Sequence, residues 1–169
     1  MPDLSYCAHE VYTHDRDLFL RSLFVPGPAR ESLLTVYALI VELEKIRGIV
    51  SEEMIGHIRL AWWQENIEAL YAGKGAHGQP VLEALGPLIA SGQLPADVLM
   101  KLIEAYRTHF PELPVDREEL VRTVSLVMLD STLQPAWSKA DRVICGHGRR
   151  FGRRFRFWLI IKLLTVSVR

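Results

Sequence analysis

Between Leu33 and Leu43 the chain reads L-L-T-V-Y-A-L-I-V-E-L, which puts apolar side chains on every side of a helix. A helix of that kind persists only when other elements surround it. The run therefore predicts one central buried helix, with the rest of the fold built as its cover. Pro26 and Pro28 precede it. Proline suits a helix start because its missing N–H would be unpaired there anyway. Glu42, Glu44, Lys45 and Arg47 then crowd the last turn and a half. A buried helix that ends in charges is where a helical protein places chemistry or a partner contact.

The flanking segments read as helices too. Ser5 to Phe24 has partial helical spacing in Tyr6, Val11, Leu18, Leu20 and Phe24, and is expected to form a single helix. His9, His14, Asp15 and Asp17 fall within it. His14 and Asp17 have a metal-compatible spacing, although a solvated face is the plainer reading. Gly48-Ile49-Val50 reads as the break after the central helix, and Ser51 as the N-cap of the next. That helix has an apolar stripe of Leu60, Trp63, Ile67, Leu70 and Tyr71, with Ile55, Ile58 and Trp62 expected to widen it and Gly73 to stop it. A short helix follows from Pro80, bent or restarted at Pro87, and another opens at Pro95. Asp116 is expected to cap a last one, in a capping-box pattern with Glu119 and with Leu120, Val124, Val127 and Met128 facing inward. No strand alternation or internal repeat stands out, so the fold class is all-α, a helical bundle.

Tyr37, Val41, Glu44 and Gly48 share one stripe of the central helix. On this stripe, L-T-V-Y-A-L-I-V-E-L-E-K-I-R-G resembles the first aspartate-rich segment of the squalene/phytoene synthases, where an L-Y-A-F-like entry leads to an Arg and then D-D-x-x-D. The run-in from Asp17 to Arg30 fits the same pattern. V-S-E-E-M-I-G-H-I-R-L-A-W-W, from Val50 to Trp63, is similar to the family branch that holds the complex I assembly factors. The resemblance covers roughly residues 5 to 125. It implies a fold similar to the N-terminal half of an isoprenoid-synthase domain.

The departures from the pattern bear on function. In the family, acids one turn apart hold Mg²⁺, which in turn holds a prenyl diphosphate. Here the acid positions carry Glu44, Lys45 and Gly48, beside Arg47, and the Arg position carries Val41. A lysine competes for the carboxylate and repels the cation. Glu44 is thus the single matched metal position, and the second aspartate-rich segment has no counterpart before Arg169. The resemblance implies a pocket wall of Tyr37, Val41, Arg59 and Trp63, although paired aromatics such as Trp62-Trp63 commonly serve as core. Two functions compete. One is a non-catalytic family member that needs no cofactor and acts through a protein partner in complex I assembly. The other is a head-to-head prenyltransferase condensing two allylic diphosphates with Mg²⁺.

Charge divides the chain. Residues 1–138 hold 11 basic and 19 acidic residues, whereas residues 139–169 hold 9 basic and 1 acidic. The tail packs Arg149, Arg150, Arg153, Arg154 and Arg156 among Phe151, Phe155, Phe157 and Trp158. Such a segment suits an anionic membrane surface better than nucleic acid. Its composition also fits a truncated parent domain followed by frame-shifted sequence. Cys7 and Cys145 form no disulfide framework, so a reducing compartment is expected. No apolar run reaches the roughly 18 residues of a spanning helix. The N-terminus lacks a leader pattern. The expected location is cytoplasmic and bacterial-like, with the tail peripheral to the inner membrane.

Overall fold

A computed structural model describes residues 4–128 except positions 26, 51, 76, 77, 113 and 115. Among these residues the secondary structure is helical throughout. The helices are α1 (Tyr6–His14), α2 (Arg16–Ser22), α3 (Gly27–Ile49), α4 (Glu53–Tyr71), α5 (Pro80–Ala90), α6 (Ala96–His109) and a seventh, α7, over 117–128. The basic tail and Ser51 lie outside the described residues.

Helix α3 is the axis of the bundle. Leu33, Val36, Tyr37, Ala38, Leu39, Ile40, Val41 and Leu43 are all buried. Helices α1, α2, α4, α5 and α6 each pack against it. Helix α7 covers Tyr37, whose hydroxyl lies 2.8 Å from Ser125 Oγ. Ser125 donates its one hydroxyl proton to Val121 O at 2.6 Å, so Tyr37 is the donor of the pair. Burying Tyr37 without this bond would leave its hydroxyl unsatisfied.

The first segment is two helices rather than one. At Asp15 the backbone turns to φ −143° and ψ 89°, and the Asp15 carboxylate caps α2 by accepting from Leu18 N at 3.0 Å. A short acid that bonds the backbone ahead of it competes with helix continuation. The end of α3 also differs from expectation. The helix runs through Gly48 to Ile49, and α4 begins at Glu53. Glu52 stands at the N-cap of α4, with no side-chain capping bond.

Helix α4 buries Gly56, Leu60, Trp63 and Ile67 against the bundle. Ile55, Ile58 and Trp62 do not widen that face; with Met54 they are exposed and form a second apolar stripe on the outer side. Gly73 ends the helix at φ +76°, with Lys74 N bonded to Ala69 O and Gly73 N to Leu70 O. This is the Schellman closure that favours glycine. Pro87 sits inside α5, which continues past it. In α7 the buried positions are Val121, Val124, Ser125 and Met128, while Leu120 and Val127 are half-buried. The expected capping box does not close, because Glu119 pairs with Arg122 instead.

At Gly56 the Phe110 ring fills the place of a side chain, and a Cβ would stand 2.1 Å from its tip. Gly56→Ala should therefore destabilise the chain by about 1–3 kcal/mol, as overpacking does. Phe110→Leu in the same chain should recover part of that loss. Urea unfolding of the single and double variants measures both, and equal stability of Gly56→Ala and the parent would refute the contact.

Candidate functional site

The charged end of α3 is folded into ion pairs. Glu44 turns toward α6 and α7. Its Oε1 accepts from Tyr106 Oη at 2.6 Å and from Arg117 Nε at 2.6 Å, and its Oε2 accepts from Arg117 Nη2 at 3.3 Å. Arg117 Nη2 also donates to Asp15 Oδ2 at 2.7 Å. One guanidinium thus joins α3, the α1–α2 bend and the start of α7. The three side chains are only 17–20% exposed. Burial opposes the Arg117 charge, but the hydrogen bonds to Glu44 and Asp15 outweigh it and hold the group above its ordinary value. Burial, reinforced by the Glu44 carboxylate, raises the Tyr106 phenol. Beside this cluster, Glu118 bonds Arg21 at 2.9 Å.

Lys45 points to the other side of α3. Its Nζ donates to Glu10 Oε2 at 2.8 Å and to Glu42 Oε1 at 2.5 Å. Burial works against the ammonium, yet the two carboxylates raise it overall. Glu10 is lowered in turn, because Lys45 outweighs the opposing effect of burial. His14 lies against Glu10, and Asp15 is taken up by capping and by Arg117. His14 and Asp15 thus turn to separate partners, and no group of three or more metal-ligating side chains forms among the described residues.

The residues singled out on the motif stripe are dispersed. Tyr37 and Val41 are buried, Tyr37 against α7. Arg47 and Gly48 are exposed, and a Cβ at Gly48 would meet nothing within 4 Å. Arg59 and Trp63 instead line a cavity of about 280 Å³ between α3 and α4, together with Glu42, Lys45, Ile46, Ile49, Trp62 and Gln79. Arg59 makes neither an ion pair nor a ring contact among the described residues, whereas Trp62 and Trp63 meet edge to face at 5.4 Å. Sequence reasoning missed Tyr106, Arg117 and Glu10. Their partners are 62, 73 and 35 residues away, beyond any local spacing signal.

A Mg²⁺ site does not fit this geometry. A hard cation needs free carboxylate oxygens, and both oxygens of Glu44 already accept from Arg117, one of them also from Tyr106. Lys45 and Gly48 add no ligand.

Fold and site together define an all-helical isoprenoid-synthase-like domain whose motif helix carries internal ion pairs. The squalene/phytoene synthase family model matches residues 11–122, and the chain belongs to that family. Over 99 residues it is 31% identical to "NADH dehydrogenase (ubiquinone) complex I, assembly factor 6" of Homo sapiens. The proteins of the same name from Bos taurus and Mus musculus are 32% and 30% identical. Each alignment covers 59% of this chain but only 29% of the relative. No solved structure matches the chain significantly.

Removing the guanidinium leaves Glu44 with the Tyr106 hydroxyl, and Asp15 with Leu18 N, in place of the charged donor they share. Arg117→Ala should cost roughly 1.5–3 kcal/mol, the range for hydrogen bonds to charged groups, and denaturant unfolding at neutral pH measures it. An unchanged midpoint would show the bridge to be absent in solution.

The phenols set an alkaline limit. Burial and Asp97 push Tyr71 up to about 12 from its ordinary value of 10.0, and its hydroxyl donates to Leu94 O at 2.7 Å. A pKa raised by folding gives stability that is full below the unfolded value and lost as pH rises through the folded one. Unfolding free energy should therefore fall between about pH 10 and pH 12. Tyr71→Phe should flatten that slope in denaturant melts followed by circular dichroism; an identical slope would show that Tyr71 is not perturbed.

Proposed function

We propose that this chain is a non-catalytic member of the squalene/phytoene synthase family that acts through protein contacts in the assembly of respiratory complex I. The observation that carries the reading is the closure of Glu44, the one acid matching the family's first metal motif, by Arg117 and Tyr106. With Lys45 bound to Glu10 and Glu42 beside it, the helix presents charges that neutralise one another. The relatives named as assembly factors support the choice of process. The outer stripe of α4, formed by Met54, Ile55, Ile58 and Trp62, supports a contact role, since clustered exposed apolar side chains commonly mark interaction surfaces. Among the described residues no helix is long and apolar enough to cross a membrane. A peripheral position at the inner membrane, helped by the arginine-rich tail on anionic lipid, completes the proposal.

The purified chain should release no diphosphate from farnesyl or geranylgeranyl diphosphate with Mg²⁺ above buffer background; clear metal-dependent release would establish the prenyltransferase alternative instead. In cells, cross-linking mass spectrometry should place α4 against complex I subunits or their assembly intermediates. Ile58→Glu and Trp62→Glu should abolish those cross-links while leaving the far-ultraviolet dichroism intact, and cross-links that persist in both variants would exclude this face. For the tail, liposome co-sedimentation should fall with rising salt and vanish when Arg149, Arg150, Arg153, Arg154 and Arg156 are all changed to Gln. Salt-independent binding would argue against an electrostatic role.

A further inference from the structure

The cavity between α3 and α4 borders the Lys45–Glu42 ion pair on one side and Trp62 of the outer stripe on the other, and its lining has a definite chemistry. Ile46, Ile49, Trp62 and Trp63 make it apolar, while Glu42, Lys45, Arg59 and Gln79 supply the polar edge. Lys45 is committed to Glu10 and Glu42, so those charges are satisfied within the protein. Arg59 is not; it is exposed at the cavity and has no ion-pair partner among the described residues. Gln79 is half used. Its Oε1 accepts from Val81 N at 2.7 Å as the cap of α5, which leaves the amide NH₂ as a donor. The uncommitted groups at this wall are therefore a guanidinium and an amide donor, set beside an apolar floor.

We propose that this cavity binds a small amphipathic acid, with its carboxylate between Arg59 and Gln79 and its apolar body against Ile46, Ile49 and Trp62. Arginine favours a carboxylate because its planar fork matches the two oxygens. At about 280 Å³ the cavity lies just below the usual range of ligand pockets, roughly 300–1,000 Å³, so a medium-chain fatty acid suits it better than a two-chain lipid. The site shares Lys45 with the motif positions, and Arg59 and Trp63 with the wall that the resemblance implies, but it does not include Glu44. Its α3 residues, Glu42, Lys45, Ile46 and Ile49, lie on a different stripe from Tyr37, Val41, Glu44 and Gly48. No divalent cation enters the scheme.

The test uses the full chain and decanoate below its micellar concentration, with binding read by calorimetry and by tryptophan fluorescence. Saturable binding is expected. Arg59→Gln should weaken it about tenfold or more, the effect of losing one charge-assisted hydrogen bond. Arg47→Gln, which removes an exposed arginine away from the cavity, should leave it unchanged, and decanol should bind at least as weakly as decanoate binds Arg59→Gln. Arg59 makes no ion pair or ring contact within the described fold, so circular dichroism of its variant should match the parent. Equal affinity of parent and Arg59→Gln would overturn the proposal, as would equal binding of decanol and decanoate. Loss of binding in Arg47→Gln alone would also overturn it, because it would mark general surface attraction.

Discussion

Everything in this bundle follows from the need to keep α3 away from water on all sides. From Leu33 to Leu43 most of its side chains are buried, so each neighbouring helix contributes one apolar face to the same axis. Each buried large aliphatic side chain is worth about 1.5–3 kcal/mol, and that sum is what holds α1, α2, α4, α5, α6 and α7 around α3. The same enclosure makes polar groups on α3 costly unless they find partners. Tyr37 finds Ser125, Glu44 finds Arg117 and Tyr106, and Lys45 finds two carboxylates.

These pairings set the motif helix of this chain apart from the family's metal-binding pattern. The family's motif gathers negative charge around an external cation. Here the cations are built in: a guanidinium meets Glu44 and Asp15, and an ammonium meets Glu10 and Glu42. The acids at the end of this buried helix thus meet cations within the chain, and both oxygens of Glu44 are taken up by protein donors.

The extent to which this was legible in the sequence depends on range. The central helix, the glycine stop of α4 and the proline-led starts of α5 and α6 rest on local residue patterns, and the family on the resemblance of two short motif segments. Asp15 defeated the local reading because one side chain can break a helix whose apolar spacing continues through it. Ile55, Ile58 and Trp62 defeated it for a different reason. Helix α4 is apolar on two faces, and periodicity cannot tell which of them the bundle covers. Arg117 was beyond reach, because nothing near residue 117 signals an acid 73 residues earlier.

The separation of these partners also orders events in time. Asp15 and Glu44 precede Arg117 by 102 and 73 residues. On a ribosome, both acids are synthesised well before their guanidinium exists. The growing chain therefore passes through a stage in which Glu44 is open, with Tyr106 as its first available donor and Arg117 arriving last. Closing loops of this length is slow compared with forming single helices, so the bonds of Arg117 belong to the late contacts of the bundle, made as α7 docks on α3.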